Sequence, residues 1–252
     1  MIAPIFLSHG SPMLVLEATA TTAFLRDLGQ RIAKPRAVLA VSAHWTTDQP
    51  RVGAAARPQT IHDFHGFPPE LFRMTYPAPG EPELARQVAG LLGCEPDPVR
   101  GLDHGIWCPA TLVWPQANVP IVPVAVQPSR DPAHHYRLGQ ALRPLAEDGV
   151  LILATGALTH NLRECFRRQV TDPAEPWATA FADWMAQALA DGRVDDLLDY
   201  RAQAPEAVRN HPTDEHLLPL FTALGASASG RATRLHRAME YGVLSMDAFS
   251  FG

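Results

Sequence analysis

Cysteine is scarce and scattered. Cys94, Cys108 and Cys165 are the only three, an odd number with no C-x-x-C pair, which argues against a disulfide framework or a thiolate zinc site and points to a reducing, cytoplasmic setting. Positive charge is also short. The 21 Lys and Arg against 26 Asp and Glu leave a net charge of −5, and no basic block offers an electrostatic footprint for nucleic acid or an anionic membrane. No apolar run approaches the roughly 20 residues of a membrane span. The N-terminal stretch Met-Ile-Ala-Pro-Ile-Phe-Leu has no basic region before it and breaks at Ser8-His9-Gly10, too soon for a signal peptide. The G-x-S-x-G elbow, G-x-G-x-x-G and G-x-x-x-x-G-K-[ST] are missing, so serine hydrolase, dinucleotide and P-loop chemistry lack their anchors.

What is present is a globular composition, 46% apolar and 19% charged over 252 residues, long enough for one substantial core and suited to a single domain, 1–252. Two residue types are over-represented. The 24 prolines are about twice the share set by the ~5% average and imply many ordered loops, while 11 histidines suggest a metal or proton-transfer site.

Short aliphatic runs alternate with segments of helical period, the pattern of an α/β domain with a mostly parallel central sheet. Strands are expected at Ile2–Leu7, Ala37–Ala43, Arg51–Ala55, Ile121–Val126 and Val150–Thr155. Several are continuously apolar, which calls for helices on both faces of the sheet. Helices are expected at Thr19–Ala33, Glu81–Leu92, Ala133–Glu147, Trp177–Ala190, Val194–Ala202 and Glu215–Leu224. Trp177, Phe181, Trp184 and Leu189 fall on one helical face and read as core packing. The Pro- and Gly-rich stretch 57–80 reads as a long ordered loop, a type of segment that is often functional.

In open α/β sheets, ligands bind beyond the carboxyl ends of the strands. His9 follows the first expected strand, His44 the second, and His160 comes just after Val150–Thr155. Imidazoles converging at such a rim would suit zinc or ferrous iron. His211 and His216, in His-Pro-Thr-Asp-Glu-His, come close to a zinc hydrolase signature without matching it, because Pro212 stands where H-x-x-E-H needs histidine and also keeps His211 out of the helix. His216 is then the better ligand candidate of the two. His62, His65 and His104 fall in loop-like segments able to line a pocket, whereas His134 and His135 read as solvated.

Seven blocks in order carry a resemblance: Ser8-His9-Gly10-Ser11-Pro12, Ser42-Ala43-His44-Trp45, Asp63 through Pro68, Tyr76 through Gly80, Gly101 through Gly105, Thr159-His160-Asn161-Leu162 and His211 through His216. Together they resemble the DOPA 4,5-dioxygenase type of class III extradiol ring-cleaving dioxygenases over nearly the whole chain. The resemblance implies a non-haem metal on His9, His44 and His216, with His160 as acid–base residue that also approaches the metal in zinc-loaded forms. It implies that His104 is a substrate-pocket residue that hydrogen-bonds a catechol oxygen or an oxygen-derived intermediate. The partners would be an aromatic diol and O₂, with Fe(II) for activity and Zn(II) expected in purified protein, since Zn²⁺ outcompetes Fe²⁺ at nitrogen sites but has no redox chemistry. Three imidazoles depart from the usual two histidines and a carboxylate; Glu215, next to His216, is the alternative oxygen ligand. A zinc-dependent hydrolase and a non-catalytic metal-binding protein on the same fold are the competing readings.

Overall fold

A computed structural model describes residues 2–252. Ten strands form: β1 Ile5–Ser8, β2 Ala37–Thr46, β3 Val52–Gly53, β4 Pro96–Asp97, β5 Ile121–Val126, β6 Val150–Gly156, β7 Ala232–His236, β8 Met239–Glu240, β9 Leu244–Ser245 and β10 Ala248–Phe251. Eight make one sheet in the order β4-β3-β5-β2-β6-β1-β10-β7, and β8 pairs with β9 separately. The centre, β5-β2-β6-β1, is parallel throughout. Antiparallel pairing enters outside it, where β3 joins β5 and where β10 joins β1 and β7.

The continuous apolar runs have the burial they require. On β2, Val38 and Ala40 belong to one core cluster and Leu39 and Val41 to the other, and β6 divides the same way, with Leu151 and Leu153 against Val150, Ile152 and Ala154. Successive side chains point to opposite faces, so a strand apolar at every position is covered on both. Helices Ala20–Arg31 and His104–Val113 cover the first face, and Pro82–Leu92, Pro132–Leu142, Pro176–Asp191 and Leu218–Ala226 the second. Trp177, Phe181 and Leu189 are buried and Trp184 packs at the edge of the core.

Several expectations need correction. The strand read at Arg51–Ala55 shrinks to two residues, and Val194–Ala202 is two short helices, Val194–Leu198 and Tyr200–Gln203. The loop 57–80 contains a short helix, Pro69–Arg73. His104 does not lie in a loop: it opens the helix His104–Val113, which its internal Pro109 disguises in the sequence. His135 is fully buried rather than solvated, because its Nδ1–H donates to the Asp131 carbonyl at 3.0 Å and its Nε2 accepts from the Gln127 N–H at 3.1 Å.

Candidate metal centre and active site

The parallel strands end at a common rim, and the imidazoles of His9, His44, His104, His160 and His216 meet there in a cavity of about 290 Å³ that His65 also lines. His9 follows β1 directly. His44 lies near the carboxyl end of β2, where the pairing with β5 shifts between Ser42 and Thr46; such an irregularity re-aims a side chain at a strand end. His216 arrives from the segment before Leu218–Ala226 and is fixed to the end of β6 by the Ala157 N–H, which donates to its carbonyl at 2.9 Å. This contact needs Gly156, since a Cβ there would lie 2.0 Å from the His216 oxygen.

The Nε2 atoms of His9 and His44 are 3.0 Å apart, and those of His44 and His216 3.3 Å. Each ring is held through its other nitrogen. His9 Nδ1 is 2.9 Å from Thr155 Oγ1, His44 Nδ1 is 3.3 Å from Asp63 Oδ2, and His216 Nδ1 is 3.0 Å from Glu215 Oε1. A carboxylate only accepts, so His44 and His216 carry their protons on Nδ1. Thr155 donates its own proton to the Gly105 carbonyl at 2.5 Å and is left to accept from His9. The Nε2 lone pair of His44 therefore faces those of both His9 and His216. Bare, they repel; around a metal with nitrogens at about 2.0–2.1 Å, separations near 3.0–3.4 Å are what the coordination geometry produces. The donor set fits a non-haem metal, and hydrogen-bonded outer nitrogens are the usual support of histidine ligands.

In the sequence Glu215 stands out only as a possible ligand and Asp63 and Asp103 only as members of motif blocks, while Thr155 and Pro109 do not stand out at all. Pro109 has no N–H, so it leaves the Gly105 carbonyl, four residues back in the helix, without its helical donor; Thr155 supplies one instead. Asp63 bridges two imidazoles: its Oδ1 accepts from the His104 backbone N–H and Nδ1, each at 3.0 Å, while Oδ2 faces His44. Burial pushes the Asp63 carboxyl up, but the hydrogen bonds from His104 outweigh it and hold the pKa at about 2. Beneath them the buried Asp103 carboxylate accepts from Ser42 Oγ at 2.6 Å and from Arg100 at 2.6 Å, and Ser42 Oγ accepts from the His44 N–H at 3.2 Å.

Burial, followed by the neighbouring imidazoles, drives His9 and His216 well below the ordinary histidine value. Burial likewise takes His44 to about 3 and His160 to about 4. The rings are neutral at pH 7, the form in which imidazole ligates. His160 stacks on His216 with centroids 3.4 Å apart and planes 10° from parallel. A ligand atom of His104 lies within 4.8 Å of those of His9 and His44, and ligand atoms of His160, Glu215 and His216 lie equally close to one another. Glu215 accepts from His216 and from Thr213 Oγ1, so its carboxylate stands behind the imidazole. The remaining histidines separate. His65 lines the cavity, His62 Nε2 is bound to the Met74 carbonyl, and His211 is buried with Nε2 donating to the Leu158 carbonyl at 2.9 Å.

A cluster of imidazoles at the carboxyl rim of a parallel sheet, with a further imidazole stacked beside it, has the donor set of a non-haem metal centre. Residues 4–246 match the model of the catalytic LigB subunit of aromatic ring-opening dioxygenases, and the chain belongs to that family. It is 39% identical to a 4,5-DOPA dioxygenase extradiol of Beta vulgaris, over 98% of this chain and 95% of that one. It is 38% identical to one of Escherichia coli K12, over 98% and 94%. A crystal structure of an uncharacterized protein from Escherichia coli K12 superposes with a TM-score of 0.84 at 32% identity, over 100% of both chains. The protein is an enzyme, an extradiol ring-cleaving dioxygenase that inserts O₂ into a catechol-type diol at a non-haem metal.

Proposed function

We propose that the 1–252 catalytic domain cleaves a catechol in the range that includes DOPA, using Fe(II) held by His9, His44 and His216. The observation that carries this assignment is the convergence of the three Nε2 atoms at 3.0 and 3.3 Å, each ring fixed through Nδ1. Bound Fe(II) supplies a Lewis acid for the diol and a redox partner for O₂, which Zn(II) filling the same imidazoles does not. Zinc is nonetheless the metal expected after aerobic purification.

The chain's own residues do the rest. His160, kept neutral by burial, accepts a proton from a diol hydroxyl and returns it as the ring opens. Its stacking on His216 sets it within reach of the metal as well as the diol. His104, whose Nδ1–H donates to Asp63, presents Nε2 to a substrate oxygen. Phe64 and Phe67 meet edge to face at 5.4 Å and wall the cavity against water.

Anaerobic reconstitution with Fe(II), followed by oxygen-electrode measurements on DOPA, caffeate, protocatechuate and unsubstituted catechol, tests the reading. Stoichiometric O₂ uptake with a catechol is expected with Fe(II) and absent with Zn(II). No uptake with any diol overturns it.

A further inference from the structure

Beyond β6 the chain leaves the sheet, and the backbone of the segment carrying His160 must find partners outside a ladder. It finds them on the loop that carries His216. The Ala157 N–H donates to the His216 carbonyl at 2.9 Å, and the His160 N–H to the Asn210 carbonyl at 3.0 Å. Between these two lies a third contact, in which His211 Nε2 meets the Leu158 carbonyl at 2.9 Å. A carbonyl only accepts, and burial takes His211 from 6.5 to about 4, so the ring is neutral and carries its one proton on Nε2. Its Nδ1 is buried without a hydrogen-bond partner among the described residues. The bond to Leu158 is thus the whole polar use of this ring.

Both sides of the contact are braced. The His211 carbonyl accepts from Arg201 at 3.0 Å, and the Tyr200 O–H donates to Asp214 at 2.6 Å. On the far side of the His160 segment, the Thr159 hydroxyl donates to the Val243 carbonyl at 2.8 Å and accepts from the Ser245 N–H at 2.6 Å. His160 and His216 stack where the two braced segments meet, with centroids 3.4 Å apart.

We infer that His211 is a positioning residue for His160: its N–H ties the segment 157–161 to the loop 210–216 and so keeps His160 in its stack on His216, facing the diol. Of the three links between those segments, two are main chain to main chain, and His211 supplies the one that a side-chain change removes. Losing it strips a donor from the buried Leu158 carbonyl, two residues ahead of His160. A shift of about 1 Å in an acid–base group is enough to cost about 10²-fold in rate. The consequence for turnover rests on the ring-cleavage reading above.

The test compares His211→Leu, close in size but without a donor, with His211→Gln, whose Nε2 lies the same number of bonds from Cβ as the imidazole Nε2. With Fe(II)-reconstituted enzyme, His211→Leu should lower kcat by about 10²-fold with KM and metal content near wild type, and His211→Gln should recover most of that loss. In a His160→Ala background, His211→Leu should change kcat by less than about twofold, because a residue acting through His160 has nothing left to act on. A multiplicative loss in that background, or Gln no better than Leu, overturns the inference. Where His211→Leu does not fold, His211→Asn, whose amide stops a bond short of the carbonyl, replaces it with the same expectations. Crystal structures of the Fe(II)-loaded wild type and variants supply a readout that needs no turnover. The separation of the His160 and His216 rings should widen in His211→Leu and return in His211→Gln; an unmoved stack overturns the inference whatever the kinetics. A wild-type enzyme that consumes no O₂ with any diol, beside a stack that opens as expected, removes the ring-cleavage reading and leaves the positioning of His160 standing.

Discussion

Two buried histidines of this protein illustrate opposite uses of the same ring. His135 sits at the start of the helix Pro132–Leu142 with both nitrogens engaged by backbone, one donating to Asp131 and one accepting from Gln127. His9 is just as buried, but only Nδ1 has a conventional partner; its Nε2 faces the Nε2 of His44. Burial and a depressed pKa are common to both and distinguish nothing. What separates a structural imidazole from a candidate ligand is the second nitrogen: whether it ends on a donor, or on another lone pair that only a cation reconciles.

The sharpest way to break that contrast is to delete rings on each side of it. His9→Ala, His44→Ala or His216→Ala should weaken metal binding by more than the about 10–100-fold that changes behind the ligands cost, and turnover should vanish with the metal, as read by metal analysis and oxygen uptake. Next in size is His160→Ala, expected to keep metal content near wild type while lowering kcat by about 10²–10⁴, the usual worth of a positioned acid–base group. A site emptied by this change would make ligation its main role. Asp63→Asn comes third. Losing the charge that orients His44 and His104 should weaken metal affinity by about 10–100-fold, measured by competition with a chelator.

The smallest effect lies on the structural side. Burial, offset only in part by the Asp131 carbonyl, lowers His135 from 6.5 to about 4. Between those values the unfolded chain binds a proton that the folded chain refuses, so stability contributed by neutral His135 is complete above pH 6.5 and is lost as pH falls toward 4. That loss is about 3 kcal/mol at most. His135→Gln should flatten the fall in urea-unfolding stability between pH 7 and pH 4.5 while leaving metal affinity unchanged. An undiminished slope would assign the acid sensitivity elsewhere.

Much of this was legible in the chain, for identifiable reasons. The central strands announced themselves because parallel strands buried on both faces read as near-continuous apolar runs, and β5 and the bodies of β2 and β6, before Ser42 and Thr155, do so. His9, His44 and His160 stood out because strand ends in such sheets are where ligands go. The short antiparallel strands β7 and β10 gave no comparable run. The helix His104–Val113 was hidden by Gly105 and Pro109, residues that oppose helix on local grounds. Here they serve tertiary needs: a Cβ on Gly105 would sit 3.0 Å from the His44 ring, and Pro109 frees the carbonyl that orients Thr155. The bracing contacts were beyond reach altogether, since Asp63 and His104 are 41 positions apart and His9 and Thr155 146, and no periodicity in the sequence records such pairs.

The central claim is that His9, His44 and His216 share one metal through Nε2. Anaerobic crystals soaked with Fe(II) test it directly by anomalous diffraction. The account predicts a single strong peak at about 2.1 Å from all three Nε2 atoms, with Thr155, Asp63 and Glu215 still on the opposite nitrogens. A peak among His160, Glu215 and His216 that leaves His9 and His44 uncoordinated would contradict it.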